Sequence, residues 1–245
     1  MSILLLVGFS QLFAATDSLY SKAGDLYELE EYENALTLYR EIVTSGYEAA
    51  DLYYNMGNAA FRSNSIGYSV LYYEKALKLD PVHHDAAHNL AYLSRYRVDA
   101  FEEVPEFFIR TWISAAVHAL PERTWSILAL FSFVLTLVWV LLYLYTKRMA
   151  LKKTGFFAAL MGLILFIFTL SSAIAGHRSI IHPDSAIIIS PSVVVRSTPS
   201  ESGNELFILH EGTKIRVNEE VTGWQNIRII DGREGWIPAG DFENI

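Results

Sequence analysis

WSILALFSFVLTLVWVLLYLY, residues 125–145, and FFAALMGLILFIFTLSSAIA, residues 156–175, contain no charged side chain. As helices rising about 1.5 Å per residue, each reaches roughly 30 Å, the thickness of a bilayer's hydrocarbon core. A buried helix pair in a soluble domain is the competing reading, but two uninterrupted apolar runs of this length are rare there. The segment between them, 146–155, holds Lys147, Arg148, Lys152 and Lys153, while Arg123 and Arg178 are the nearest cations at the outer ends. This Lys/Arg excess predicts a cytoplasmic loop, with the flanks 1–123 and 176–245 on the opposite side. Neither run contains Asp, Glu, His, Lys or Arg, so the spans are expected to anchor rather than to transport.

The charge is unevenly placed. The net −8 resides in residues 16–104, which carry fifteen acidic and seven basic side chains; residues 105–245 carry twelve of each. An acidic flank argues against nucleic acid as a partner and against docking of that flank on anionic lipid. Cysteine is absent, which removes disulfides, thiolate nucleophiles and Cys-based zinc sites. The mean hydropathy of +0.25 suits a small membrane protein with soluble flanks.

Residues 1–15 read as a secretory signal: an apolar run, Ile3–Phe13, then Ala14 and Ala15 before the polar Thr16-Asp17-Ser18. No Lys or Arg precedes the run, and a frayed N-terminal helix is the alternative. Residues 99–122 read as an amphipathic linker lying on the membrane surface. Phe107, Phe108, Trp112, Ile113, Ala116 and Leu120 fall mainly on one helical face, between Pro105 and Pro121. Burial of that face against the preceding helices is the alternative.

Residues 16–98 contain an internal period of about 34 residues. At that offset Leu19 meets Tyr53, Tyr27 meets Phe61, Tyr39 meets Tyr73, and Asn55-Met56-Gly57 meets Asn89-Leu90-Ala91. The stretch YYNMGNAAF, residues 53–61, with Tyr73, Ala76, Leu77 and Asp80-Pro81, resembles the tetratricopeptide repeat. The resemblance implies two helix pairs and a capping helix stacked into a curved array whose first helices line a groove. Carried over by position, that lining is Tyr20, Tyr27, Tyr54, Asn58, Phe61, Arg62, His88, Tyr92 and Arg95. An extended peptide suits such a surface, with Asn58 bonding its backbone and Arg62 or Arg95 meeting a carboxylate. Packing against a neighbour or a subunit is the alternative for several of these aromatics. His84 and His88 stand four apart, like two ligands of a helical zinc motif, but no third ligand is evident and a solvated rim is the expectation.

Residues 183–245 change to short alternating runs. Val193–Arg196, Leu206–Leu209, Lys214–Asn218, Trp224–Ile230 and Glu234–Ile237 predict five strands, and Asp231-Gly232 predicts a type I′ hairpin. VRSTP (195–199), EGT (211–213), Trp224 and GREGWI (232–237) resemble bacterial SH3-like domains. That resemblance implies a small all-β barrel that binds cell-wall peptides or protein segments. Trp224, Trp236 and Arg196 are the residues to examine for ligand contact; alternatively the tryptophans fill the core and Arg196 braces a turn.

The expected architecture is therefore a multi-domain membrane protein: a helical tetratricopeptide array, a two-helix transmembrane hairpin and an SH3-like barrel. This order resembles that of the BatE-like proteins of the bacterial aerotolerance operon. By that resemblance the partners are envelope proteins, among them von Willebrand A-domain membrane proteins, another repeat protein and a cytoplasmic ATPase of the MoxR type. The location implied is the bacterial inner membrane, with both soluble modules on the periplasmic side. The expected role is a scaffold without enzymatic activity, cofactor or metal. The alternative is a sensor of peptidoglycan peptide. No nucleophile–base constellation supports an enzyme.

Overall fold

The computed structural model describes residues 16–95, 99, 115, 117, 119–181 and 184–245. The predicted signal, and the apolar face of the predicted surface helix except Leu120, lie outside the described residues. Two compact units result. One combines the described parts of 1–79, 83–104 and 184–245; the other holds the apolar hairpin.

The first unit begins with helices α1 (16–28), α2 (Tyr32–Thr44), α3 (Ala50–Arg62), α4 (Ile66–Leu79) and α5 (His84–Leu93). The period read in the sequence recurs in the backbone: α2 and α4 start 34 residues apart, as do α3 and α5. The turns repeat as well. Glu31 N–H donates to Leu26 O at 2.9 Å, and Ser65 N–H to Ala60 O at 2.8 Å. The residues before them, Glu30 and Asn64, take left-handed φ of 63° and 62°. This six-to-one closure satisfies a carbonyl left open at the end of α1 and of α3.

Side chains from successive helices interlock. Tyr20 stands 5.7 Å from Tyr39 and Tyr54 stands 6.0 Å from Tyr73, the same pair one period on. Leu36, Ile42, Leu52, Met56, Leu71 and Tyr73 fill the core with Ala23, Ala35, Ala59, Ala60 and Ala76, all nearly inaccessible.

A seven-stranded antiparallel sheet completes this unit, in the order β3-β2-β6-β5-β4-β1-β7. Its strands are β1 (Ser185–Ile188), β2 (Ser192–Arg196), β3 (Glu205–His210), β4 (Lys214–Val221), β5 (Trp224–Arg228), β6 (Glu234–Pro238) and β7 (Phe242–Asn244). Five strands were expected; β1 and β7 are additional. β1 lacks period-two alternation because both its faces are covered. Ala186 and Ile188 enter the sheet's own core, while Ile187 enters the helical core. The type I′ expectation at Asp231-Gly232 is also corrected. There Gly232 N–H bonds Ile229 O and Ile229 N–H bonds Arg233 O, both at 3.0 Å, and only Gly232 has positive φ. That is a three-residue loop with a glycine bulge. The two-residue turn with positive φ at both positions is Thr222-Gly223, at 50° and 79°, closing the Val221–Trp224 pair.

The helices and the sheet are packed together, a point on which the sequence is silent. Gly67 N–H, at the start of α4, donates to Glu211 Oε2 at 2.9 Å. Lys214 Nζ meets Glu74 at 2.8 Å, and Lys78 Nζ donates to Ile245 O at 2.5 Å. Asp99 receives three bonds from the sheet: His210 N–H at 2.7 Å, the His210 ring Nδ1 at 2.9 Å and the Thr213 hydroxyl at 2.7 Å. Burial opposes ionisation of Asp99, but these bonds outweigh it and hold the carboxyl below its usual range. Gly67 explains the close approach: a methyl there would sit 3.0 Å from Ile188 O and 3.3 Å from Ile189 Cα.

The second unit is a hairpin of α6 (Glu122–Tyr145) and α7 (Met149–Ile181). Both are long and apolar enough to cross a membrane, and only 17% of the most apolar window of each is buried. The connecting loop is shorter than the expected 146–155. Helix α7 already starts at Met149, because Ala, Leu and Lys favour helix and nothing before Gly155 interrupts it. Small residues form the seam: Ala129, Ser132 and Thr136 of α6 against Thr169, Ser172 and Ala173 of α7. The Ser132 and Thr169 hydroxyls lie 3.2 Å apart, and Gly162 admits Thr136, whose hydroxyl would be 2.6 Å from any Cβ there. Trp125 packs edge-on to Phe168 at 5.6 Å and donates its indole N–H to Val117 O at 2.8 Å.

Candidate binding surfaces

Helices α1, α3, α4 and α5 line a half-open cavity of about 280 Å³, formed by Tyr27, Asn58, Phe61, Arg62, Tyr73, Asn89, Tyr92 and Leu93. Five of the nine predicted groove residues are here: Tyr27, Asn58, Phe61, Arg62 and Tyr92. The other four are not among the lining residues. The Tyr20 hydroxyl accepts a bond from Asn55 at 2.6 Å and ties α1 to α3. Tyr54 packs between Tyr73 and His83, 5.0 Å from the latter. His88 and Arg95 are exposed.

Tyr73, Asn89 and Leu93 were not anticipated. Asn89 had a signal, since it stands one period after Asn55. Tyr73 had none at that level, because it belongs to α4, a second helix of a pair. It reaches the cavity beside Gly57, where a methyl would meet the Tyr73 ring at 2.6 Å. Its hydroxyl donates to Asn58 Oδ1 at 2.6 Å, and Asn89 Nδ2 reaches Asn58 Oδ1 at 3.1 Å and the Tyr73 oxygen at 3.2 Å. Burial pushes the Tyr73 phenol up to about 12, so it stays neutral and keeps donating at physiological pH.

Asn58 Oδ1 is thus occupied by its neighbours, leaving its amide N–H groups as the polar offer on the cavity floor. Arg62 adds a guanidinium at the rim, held by the Tyr32 hydroxyl, 4.8 Å from the centre of that ring and 4.0 Å from Glu30. Phe61 and Tyr92 meet edge-on at 6.2 Å and form one wall. The surface is aromatic and rich in donors, which matches backbone carbonyls and carboxylates more than cations. Among the described residues no group of three or more His, Asp or Glu is placed to hold a metal, and His84 and His88 are exposed.

The second surface is the outer face of the sheet. Side chains alternate along a strand, so Trp224 and Asn226 of β5 share a face, as do Trp236 and Pro238 of β6. The register brings them together: Trp224 pairs with Pro238, Asn226 with Trp236, and Trp236 with Arg196 of β2. Both tryptophans are partly exposed. The core on the other face consists of Ala186, Ile188, Val193, Val195, Leu209, Ile215, Ile227, Ile229 and Ile237. The tryptophans therefore do not fill it. Arg196 has a different employment. It donates to Gly203 O at 3.0 Å and lies 3.8 Å from Glu201 and 3.7 Å from Glu205, bracing the loop between β2 and β3.

A family model of the bacterial SH3 domain matches residues 191–243, which span β2 to β7 of this sheet. No curated protein matches the chain.

Proposed function

We propose that the chain is a membrane-anchored adaptor that holds a peptide-binding helical array and an SH3-like module together on one side of a bacterial inner membrane. The observation that carries this reading is the joint packing of residues before and after the apolar hairpin into one unit, through Gly67–Glu211, Glu74–Lys214 and Asp99–His210. A two-span hairpin returns the chain to the side it left, which agrees with a single unit built from both flanks. The Lys/Arg excess in the loop supports the periplasmic side for that unit.

The 34-residue period, recurring in helix starts and turns, supports assignment of the helices to the tetratricopeptide class. The groove then takes an extended peptide: Asn58 meets its backbone, Arg62 a carboxylate, and Phe61 and Tyr92 an apolar side chain. The order of modules resembles that of BatE-like proteins, so envelope proteins of an aerotolerance complex are the first partners to test. Binding rather than chemistry is the role.

Topology is tested with single cysteines in a chain that has none of its own. Glu28→Cys in the array and Glu220→Cys in the sheet should react with an impermeant thiol reagent in intact spheroplasts, and Lys147→Cys only after lysis. The reverse pattern would refute the orientation. Crosslinking from the native membrane tests the partner. Phe61→Ala/Arg62→Ala should lose proteins that the wild type retains.

A second reading, binding of peptidoglycan peptide, is favoured by Trp224 and Trp236, which stand on one face of the neighbouring strands β5 and β6, and by the SH3 match. Retention of the full chain on purified cell wall, lost in Trp224→Ala/Trp236→Ala, would select it.

A further inference from the structure

The apolar hairpin has one chemically distinct end. Lys147, Arg148, Lys152 and Lys153 lie within seven residues, and no Asp or Glu occurs anywhere between Arg123 and Pro183. The tip thus carries four positive charges, while the one carboxylate in the hairpin's sequence, Glu122, stands at its opposite end. The opposite end differs, with Glu122 beside Arg123 and a single further cation at Arg178.

The geometry sets the depth of these charges. A Cβ on Gly155 would lie 3.1 Å from Tyr143 N and 3.3 Å from Trp139 O, so Gly155 of α7 is level with the last turns of α6. Residues 149–154 therefore extend roughly 9 Å along the helix axis past that level. Lys152 and Lys153 fall about one turn outside the apolar stretch that begins at Phe156, which is where headgroup phosphates lie relative to the hydrocarbon edge. Lys152 Nζ sits 5.3 Å from the centre of the Tyr143 ring, and Tyr145 beside it is 82% exposed, as interfacial aromatics are. The first turn of α7 contains no acidic residue, so its open N–H groups face the same anion-seeking surface.

Resting on the membrane reading above, we propose that this tip is a binding site for the phosphate headgroups of anionic phospholipids. The acyl chains would lie along the exposed flanks of α6 and α7, and the lysines would meet phosphate oxygens as charge-assisted donors.

The test uses the full chain in phosphatidylcholine nanodiscs carrying a trace of spin-labelled phosphatidylglycerol or spin-labelled phosphatidylcholine. The wild type should immobilise the glycerol lipid several-fold more than the choline lipid. A cation near an anionic surface contributes on the order of a five-fold preference. The preference should shrink as salt rises. Lys147→Gln/Arg148→Gln/Lys152→Gln/Lys153→Gln should bring it near unity while leaving the choline lipid signal unchanged, and Arg123→Gln/Arg178→Gln should keep it. An equal preference in the wild type, or one that survives the tip substitutions, would overturn the proposal and leave the membrane reading intact. Displacement of the label by millimolar inorganic phosphate would make this a site for free anions and overturn the lipid assignment. A chain that immobilises neither lipid would overturn the membrane reading itself.

Discussion

Replacing Glu211 by alanine should weaken a helix to which Glu211 does not belong. Helix α4 starts at Ile66, and its second residue, Gly67, gives its N–H to the Glu211 carboxylate at 2.9 Å from the turn that precedes β4. The carboxylate thus does the work of an N-cap from 144 positions away. Loss of a capping acceptor costs about 0.5–2 kcal/mol. Loss of a negative charge at a helix N-terminus costs about 0.3–1 kcal/mol. Glu211 is only partly buried, so screening argues for a combined effect of about 1–2 kcal/mol.

For a chain of this size that corresponds to a fall in Tm of about 2–8 °C. It also corresponds to about five- to thirty-fold faster amide exchange at the start of α4. Glu211→Gln keeps an acceptor and loses only the charge, so its effect should stay near the lower, electrostatic figure. Both variants are compared with wild type as full chains in the same detergent, by thermal unfolding and by hydrogen–deuterium exchange of the segment 63–70. Ser65 immediately precedes α4 and is the local rival for the capping role. If Glu211→Ala leaves exchange at Gly67 and its neighbours unchanged, Ser65 or water satisfies that N–H, and the bond between the modules carries no stability.

Four further outcomes follow from the same geometry. Thr222 holds φ at 50°, which a β-branched residue adopts at a cost, so Thr222→Asn should raise stability by about 0.5–1 kcal/mol in thermal unfolding. Trp224→Ala and Trp236→Ala should each cost less than the roughly 3–5 kcal/mol of a core aromatic, because both lie outside the isoleucine-rich core; a core-sized loss would return them to packing. The Asp99 carboxyl titrates lower folded than unfolded. Its contribution is therefore complete above the unfolded value of about 3.9 and is lost as pH falls through the lower folded value; Asp99→Asn should flatten that part of the stability profile. Asn58→Ala removes the acceptor of the buried Tyr73 hydroxyl and should cost about 1–3 kcal/mol by denaturant unfolding, besides any loss of binding.

Much of this molecule is legible as pattern. The 34-residue period marks the helix pairs, and the two uncharged runs mark the hairpin of long apolar helices, because a repeat and an apolar length can both be read along the chain. What escaped was contact between patterns. Ile187 belongs to a strand whose two faces meet different cores, so it carries no alternation to read. Asp231-Gly232 has the composition of a two-residue turn, yet the strands close there over three residues and the tight turn falls on Thr222-Gly223. Tyr73 enters the cavity only because Gly57, on a different helix, lacks a side chain. In each case the deciding neighbour is distant in sequence.

The same distinction separates the two candidate surfaces. At the groove, Asn58 can offer N–H groups to a ligand because its oxygen is already engaged by Tyr73 and Asn89, two side chains outside the lining carried over from the repeat. At the sheet, Trp224 and Trp236 are partly exposed and lie outside the core, which nine other residues, mostly branched aliphatics, close. The inter-module bonds at Gly67, Glu74 and Asp99 involve neither surface. On the proposed adaptor reading, the unit joins its own halves through residues of neither candidate surface and leaves both faces to partners. That makes the Glu211 and Phe61/Arg62 substitutions separable tests: the first should loosen the unit with the groove residues intact, the second should empty the groove with the unit intact.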